Sequence, residues 1–588
     1  MKKTFVALSL FLLIAVPASA YVEPVHRIMT LNAFKRVEPG LALQSHLGIT
    51  PGERLQGRTP AQWAEQGADD EDNGINALSH FYDPRHQAAL TIKPFCRPPV
   101  TARTAPARAA AHMVDVNRAY VASVIGLGAE IREASARELF WQIGRVVHLI
   151  QDMGQPEHTR NDQHRFANGA RAASIYEDWG AVHLLRRNAA ALYEGYPTVH
   201  MPSLAEYFHT ADAPLGIPAG RGLADFSNNN FVTQDTNYND QQLNLGCFYY
   251  DLPILPGEES KRYVTTTEMT AYSGTPIEVE HEVFTSRMTD VATGGSAVDE
   301  FHTFRSSLDI ETGQRGVRFY SLGDGSYASR AAILLPRAVG YTAGAIERVF
   351  RGRVAIKWKE TVAGTYDMTV TNQSQEAIGA DARLLAYLRI VDDKSTTGDL
   401  RTITESGLAT LIPGFAGIPA GASVTARGIK PDLPARKKLG EFEKRIVVRS
   451  TMGGEDAVIG LVQPPSGKEF RAVITWAEPT APNSLYMEDL QEFIGWYPWR
   501  TQYCALPDQS LADACVSSPA SLQPVTFTWD PLPEDKLLRF YVGATLTRTT
   551  HTITTRFYID GNLVKTQTTF VKTDRDTSYP FPEFARYP

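Results

Sequence analysis

HLIQDMGQPEH, residues His148–His158, packs two histidines, a carboxylate and a proline into eleven positions. The residues before it, FWQIGRVV, repeat apolar side chains at i, i+3 and i+4, so the spacing predicts a helix running into Asp152. His148 and Asp152 are four apart and share one face, one turn from each other. Two metal ligands delivered by one rigid element need that geometry. Gly154 is a favourable helix stop, and Pro156 fixes a turn that brings His158 near the pair. By itself an H-x-x-x-D step also describes a buried histidine satisfied by a carboxylate, so other segments decide between the two readings.

Upstream, GADDEDNGINALSHFYDP sets an acidic cluster, Asp69 to Asp72, just ahead of His80. YVEPVH puts His26 five residues after Tyr21, and SIYEDW puts Glu177 on a predicted helix soon after His158. Read singly, the acidic run is a solvated loop, His26 a helix-surface histidine and Glu177 a surface carboxylate. Thirteen of the fourteen histidines lie at or before His302, so histidine-based chemistry belongs to the first half of the chain.

The chain of 588 residues has a formal charge of −7 and a pI of about 6.1. That mild acidity gives no electrostatic footprint for duplex nucleic acid, which takes a basic face. MKK, the apolar TFVALSLFLLIAV and then PASA read as a secretory leader over residues 1–20, cleaved after Ala20. The expected location is therefore secreted or periplasmic. The apolar core is too short to span a bilayer. An exported chain meets oxidising conditions, and four cysteines suit two disulfides. Cys504 and Cys515 close a short loop, and Cys96 and Cys247 are the remaining pair.

The predicted class is a multidomain α + β chain. Residues 21–352 read as an N-terminal all-α domain, with helical periodicity in EPVHRIMTLNAFKRV, SARELFWQIGRVVHLIQDM and SIYEDWGAVHLLRRNAAALY. An irregular insertion of loops and strands spans about 226–330, and RAAILLPRAVGYTAGAIERVF reads as a closing helix with a kink at Pro336. Residues 353–588 turn to β-branched and aromatic alternation in GTYDMTVTN, RAVITWAEP and the long run after Leu537, which predicts one or two β-sandwich-like modules. IDGN is a hairpin signal at Asp560–Gly561. FIGWYPWR, Phe493–Arg500, makes this β region a candidate for membrane-surface contact, against the plainer reading of packing within a β module.

The N-terminal pieces together resemble, over roughly residues 21–190, the zinc-dependent bacterial phospholipases C and their relatives, the secreted zinc nucleases specific for single strands. They occur in family order: Tyr21 and His26, then Asp72 and SHFYDP with His80, then H-x-x-x-D-x-x-Q-P-x-H, then Glu177. The resemblance implies an all-helical phosphoesterase domain holding two or three zinc ions. Asp72, His80, His148 and Asp152 would hold one. Asp152 would bridge to a second, held also by His26 and the amino and carbonyl groups of Tyr21. His158 and Glu177 would contribute to a third. Asp72 would also orient or deprotonate the attacking water. Two departures stand out. Tyr21 occupies the family's usual tryptophan position, and Ala173 replaces a histidine four residues before Glu177, leaving His164, His183 or water to complete the third site. The expected activity is hydrolysis of a phospholipid or other phosphodiester, phospholipase C-like, with a single-strand-specific nuclease or a non-catalytic binding protein on the same scaffold as the alternatives. SHFYDP resembles the phospholipase branch, and the step from Tyr21 to His26 is similar to the nuclease branch. The sequence leaves the oligomeric state open.

Overall fold

The computed structural model describes residues 23–572 apart from 51, 73–77, 92–95, 99–101, 163–175, 177–178, 181–192, 212–219, 234–235, 237–246, 249, 251–261, 270–275, 305–321, 323, 390–399, 434–438, 465–469, 477–483, 490–500, 504–524, 530–537, 544–549 and 560–561. The leader, Tyr21, His164, Ala173, Glu177, His183, the Phe493–Arg500 stretch, Cys504 and Cys515 thus lie outside the described residues.

Helices and antiparallel sheets both contribute. The longer described helices are α1 (Glu23–Val37), α2 (Pro60–Glu71), α3 (Ala105–Ile125), α4 (Ala129–Gln151), α5 (Leu223–Asn230) and α6 (Asp324–Val349). Sequence dictates several boundaries. Thr59 caps α2 in a capping box with Gln62, and Pro60 occupies the first turn, where its missing N–H costs nothing. Thr104 accepts from the Ala107 N–H at the start of α3. Pro336 sits inside α6, which nevertheless continues as one element. None of the described helices is long and apolar enough to cross a membrane.

Two glycines set the crossing that matters most. A Cβ at Gly67 of α2 would collide with the Trp141 carbonyl of α4, and one at Gly144 of α4 with the Ala64 carbonyl of α2. The two backbones therefore approach more closely than any side chain would allow. That closeness brings the C-terminal end of α2 against the last turns of α4. α1 and α6 pack on the same group, and Val25, Met29, Phe34, Phe140, Ile143, Val147, Leu335 and Ile346 share its apolar core.

The insertion forms an antiparallel sheet of β1 (Arg262–Met269), β2 (Pro276–Asp290) and β3 (Gly295–Phe304) in that order. Asp290, at the β2 end, accepts from Arg337 of α6 at 3.0 Å and from the Tyr196 hydroxyl at 2.7 Å. Cys96 and Cys247 form a disulfide.

Past α6, β4 (Val354–Val362), β5 (Thr365–Asn372) and β8 (Ser423–Ile429) make one sheet, and β6 (Arg383–Arg389), β7 (Leu400–Gly407), β9 (Glu443–Met452) and β10 (Glu455–Gln463) another, ordered β10-β9-β6-β7. Along β5, Tyr366, Met368, Val370 and Asn372 alternate inward. These strands belong largely to the same compact unit as the helices: the chain divides into residues 1–387, 392–430 and 445–462 on one side, and 388–391, 431–444 and 463–588 on the other. Within the first unit, His46 Nδ1 lies 3.0 Å from the Gly460 carbonyl, Arg445 donates to the Val124 carbonyl at 3.2 Å, and Arg348 donates to Glu455 at 2.6 Å. The second unit carries β11 (Phe470–Trp476), β12 (Ser484–Asp489), β13 (Thr501–Tyr503), β14 (Val525–Trp529), β15 (Leu538–Gly543), β16 (Thr550–Ile559) and β17 (Asn562–Lys572), in sheets ordered β14-β11-β16-β17 and β13-β12-β15. β16 and β17 pair antiparallel up to Ile559 and Asn562, flanking Asp560–Gly561.

Candidate metal centre

α4 ends at Gln151, and a single 3-10 turn, Asp152–Gly154, continues it. Gln155 is extended, and Pro156 then starts a one-turn helix, Pro156–Thr159, rather than a simple turn. Pro is well placed there because the first helical N–H has no partner in any case. The result points His158 back at Asp152, Nδ1 to Oδ1 3.9 Å. His158 stacks on Phe81, ring centroids 4.3 Å apart.

The acidic run is not a solvated loop. Its first three residues occupy the last turn of α2, and Asp72 caps it. Negative charge is unfavourable at a helix C-terminus, so each carboxylate needs a local reason to be there. Asp70 accepts from the Trp141 indole at 2.7 Å. Glu71 points into the protein against Arg108, Arg145 and His112. Asp72 faces the histidines.

Four donor atoms converge. Asp72 Oδ1 lies 3.5 Å from His80 Nδ1 and 3.4 Å from His148 Nε2, and those two nitrogens are 3.3 Å apart. Asp152 Oδ2 lies 3.1 Å from His80 Nδ1 and 3.3 Å from His148 Nε2. Ligands bound at about 2.0–2.1 Å around a tetrahedral zinc are separated by roughly 3.3 Å, so the triangles Asp72–His80–His148 and Asp152–His80–His148 each have the dimensions of one face of such a polyhedron. The other oxygen of Asp152, Oδ1, turns to His26 Nε2 at 3.3 Å. Two triads of ligand-type atoms result, Asp72–His80–His148 and His26–His148–Asp152. His26, His80, His148 and Asp152 are fully buried, and Asp72 is 5% exposed.

Among the described residues, neither Asp152 oxygen accepts a hydrogen bond. A buried carboxylate with no hydrogen bond is costly unless charge compensates it. Burial alone would push the Asp152 carboxyl up, but His148 and His80 outweigh it and hold it well below the usual carboxylate range. His148 moves the opposite way: burial pushes it down, and Asp152 and Asp72 carry it well above an ordinary imidazole. His26 stays lowered, by burial and by the neighbouring His148. Nitrogen and carboxylate donors at these separations fit zinc in chemistry and in spacing.

The structure thus brings together five residues singled out by sequence, His26, Asp72, His80, His148 and Asp152, with His158 at the edge. Tyr176 and Trp179, which flank Glu177, pack against Tyr327 of α6. Sequence reading missed Glu71. Burial would push its carboxyl up, yet His112, His80 and Arg108 beside it hold it far below the usual range. Its partners are spread over α3 and α4, so only a negative charge at the wrong end of a helix hinted at it.

No protein-family model matches the chain, and no curated protein matches it. Among solved structures, the crystal structure of red sea bream transglutaminase aligns with 53% of this chain and 41% of its own, at 13% identity and a TM-score of 0.13. A likeness at that score carries no argument about fold or function. The alignment takes in less than half of the transglutaminase chain.

Proposed function

We propose that the chain is a zinc-dependent phosphoesterase that hydrolyses phosphodiester bonds, phospholipase C-like, with its site built on the N-terminal helices. The observation that carries this reading is the pair of triangles that Asp72 Oδ1 and Asp152 Oδ2 each make with His80 Nδ1 and His148 Nε2, at 3.1–3.5 Å, with the second oxygen of Asp152 turned toward His26.

When bound, paired zinc ions supply Lewis acidity toward phosphoryl oxygens and lower the pKa of water. The chain's own residues do the rest. Asp72, His80, His148 and Asp152 would hold one ion, and Asp152 and His26 with the Tyr21 amine and carbonyl would hold a second; His158 and Glu177 would contribute to a third. Asp72 alone in the quartet has any exposure, so it is assigned to orient the attacking water and accept its proton. The Tyr21 amine is available only after cleavage following Ala20, which makes export part of the activity. The Cys96–Cys247 disulfide supports an oxidising, secreted or periplasmic setting.

Metal analysis of the mature protein tests the reading. Two or three zinc ions per chain are expected, and fewer than two would contradict it. Hydrolysis of phosphatidylcholine, lost on chelation, is the expected activity. Cleavage of single-stranded DNA alone would move the protein to the nuclease branch, and zinc binding without either activity would favour a non-catalytic role.

A further inference from the structure

Each clustered histidine turns one ring nitrogen inward and the other to a particular outer partner. His148 sends Nε2 inward, and its Nδ1 is 2.6 Å from the Ala68 carbonyl. His26 also sends Nε2 inward, and its Nδ1 is 2.7 Å from Gln151 Oε1, whose amide nitrogen donates to Thr30 and Thr342. His80 is reversed: Nδ1 faces the quartet, and Nε2 lies 3.8 Å from Glu71 Oε1, an ion-pair contact longer than a hydrogen bond.

An imidazole that gives one nitrogen's lone pair to a metal keeps its proton on the other. The outer partner therefore fixes tautomer and ring orientation. Two of the three outer partners are neutral oxygens. The third, Glu71, is a carboxylate, fully buried and clamped from two helices. Arg108 Nε of α3 donates to Oε1, Arg145 Nε of α4 donates to Oε2 at 2.5 Å, and His112 Nε2 is 3.2 Å from Oε2. His112 is in turn set by Gln142, Nδ1 to Oε1 3.1 Å. A buried carboxylate needs such compensation. Two arginines would suffice as a structural tie between α2, α3 and α4, and the same carboxylate also lies within ion-pair range of His80 Nε2, which a tie does not require.

We propose that Glu71 is a positioning residue for His80: its clamped carboxylate keeps the proton on Nε2 and so holds Nδ1 ready to bind the ion. The inference rests on the zinc-centre reading and adds to it a residue that touches neither metal nor substrate.

A double-variant cycle read by zinc affinity, through competition with a chromophoric chelator, tests it. Glu71→Gln keeps the side-chain shape and removes the charge. It is expected to weaken zinc binding roughly ten- to hundred-fold, and to have no such effect in a His80→Ala background. A purely structural tie would instead lower thermal stability equally with and without zinc and leave the affinity alone. Affinity within about twofold of the parent, or an equal loss in the His80→Ala background, would overturn the proposal. If Glu71→Gln does not fold, Arg108→Gln, which loosens the clamp at a partly exposed side chain, is read the same way. A parent protein that takes up no zinc would sink the zinc-centre reading and this inference together. Zinc uptake with an indifferent Glu71 would sink this inference alone.

Discussion

Asp152 offers two oxygens, and the fold uses them for different neighbours: Oδ2 faces His80 and His148, and Oδ1 faces His26. Asp152→Asn replaces one with an amide nitrogen that has no lone pair to give. It is expected to cost at least one zinc ion per chain and to lower turnover by more than about a hundred-fold, since even outer partners of metal ligands are worth ten- to hundred-fold. Parallel metal analysis and rate measurement check this, and full activity with full zinc would contradict it. At this scale the H-x-x-x-D step was legible because helical periodicity alone puts both side chains on one face. The choice of Asp72 over Asp69 and Asp70 came from the family resemblance and not from local periodicity. It depends on where α2 ends, and the helix runs through Glu71 so that Asp70 meets Trp141 and Asp72 meets His80. Glu71 was illegible for another reason: its meaning lies in Arg108, His112 and Arg145, which the sequence does not connect to it.

The crossing of α2 and α4 is the element on which the site depends. Gly67 and Gly144 let the two backbones touch, and Asp72 and His148 meet one turn further on. Gly67→Val inserts a branched side chain where a carbonyl already sits. A destabilisation of about 1–3 kcal/mol is expected from overpacking, together with weakened zinc binding as the two ligand-bearing ends separate. Calorimetry and chelator competition read the two effects, and an unchanged affinity would mean that the crossing does not set the site. A second element-scale contact joins the helices to β10 at His46. Its pKa falls from 6.5 to about 4, through burial first and the charge of Arg353 second, against the hydrogen bond to Gly460. Between those values the unfolded chain binds a proton that the folded chain refuses. The contribution of His46 is therefore complete above about pH 6.5 and is lost as pH falls toward 4, by up to about 3 kcal/mol. In chelator-treated protein, the stability gap between parent and His46→Asn is expected to narrow from pH 7 to pH 4.5 in denaturant titrations. A constant gap would refute the assignment.

At the scale of the molecule, the alternation of apolar residues marked strands such as β5, β11 and the β16–β17 pair, and the 3.6-residue period marked α1 over its full span and α4 and α6 except for their first turns, since each begins six residues earlier than the period shows. What the period of a segment does not carry is its partner. Val447 and Val458 lie more than 300 residues along the chain from much of the helical core they join, and Glu455 pairs with Arg348 across a hundred residues. A chain ended at residue 352 would lose those partners and the Gly460 carbonyl that faces His46. It is expected to unfold at lower temperature than the full protein by differential scanning calorimetry, and an equal melting temperature would show that the helices stand alone. The central claim is that four side chains, Asp72 capping α2, His148 of α4, Asp152 in the turn after it and His80, surround one zinc ion. Anomalous diffraction at the zinc edge from crystals of the mature protein tests this most directly. The account predicts a peak about 2.0–2.2 Å from Asp72 Oδ1, His80 Nδ1, His148 Nε2 and Asp152 Oδ2, and a map with no peak among those four atoms would contradict it.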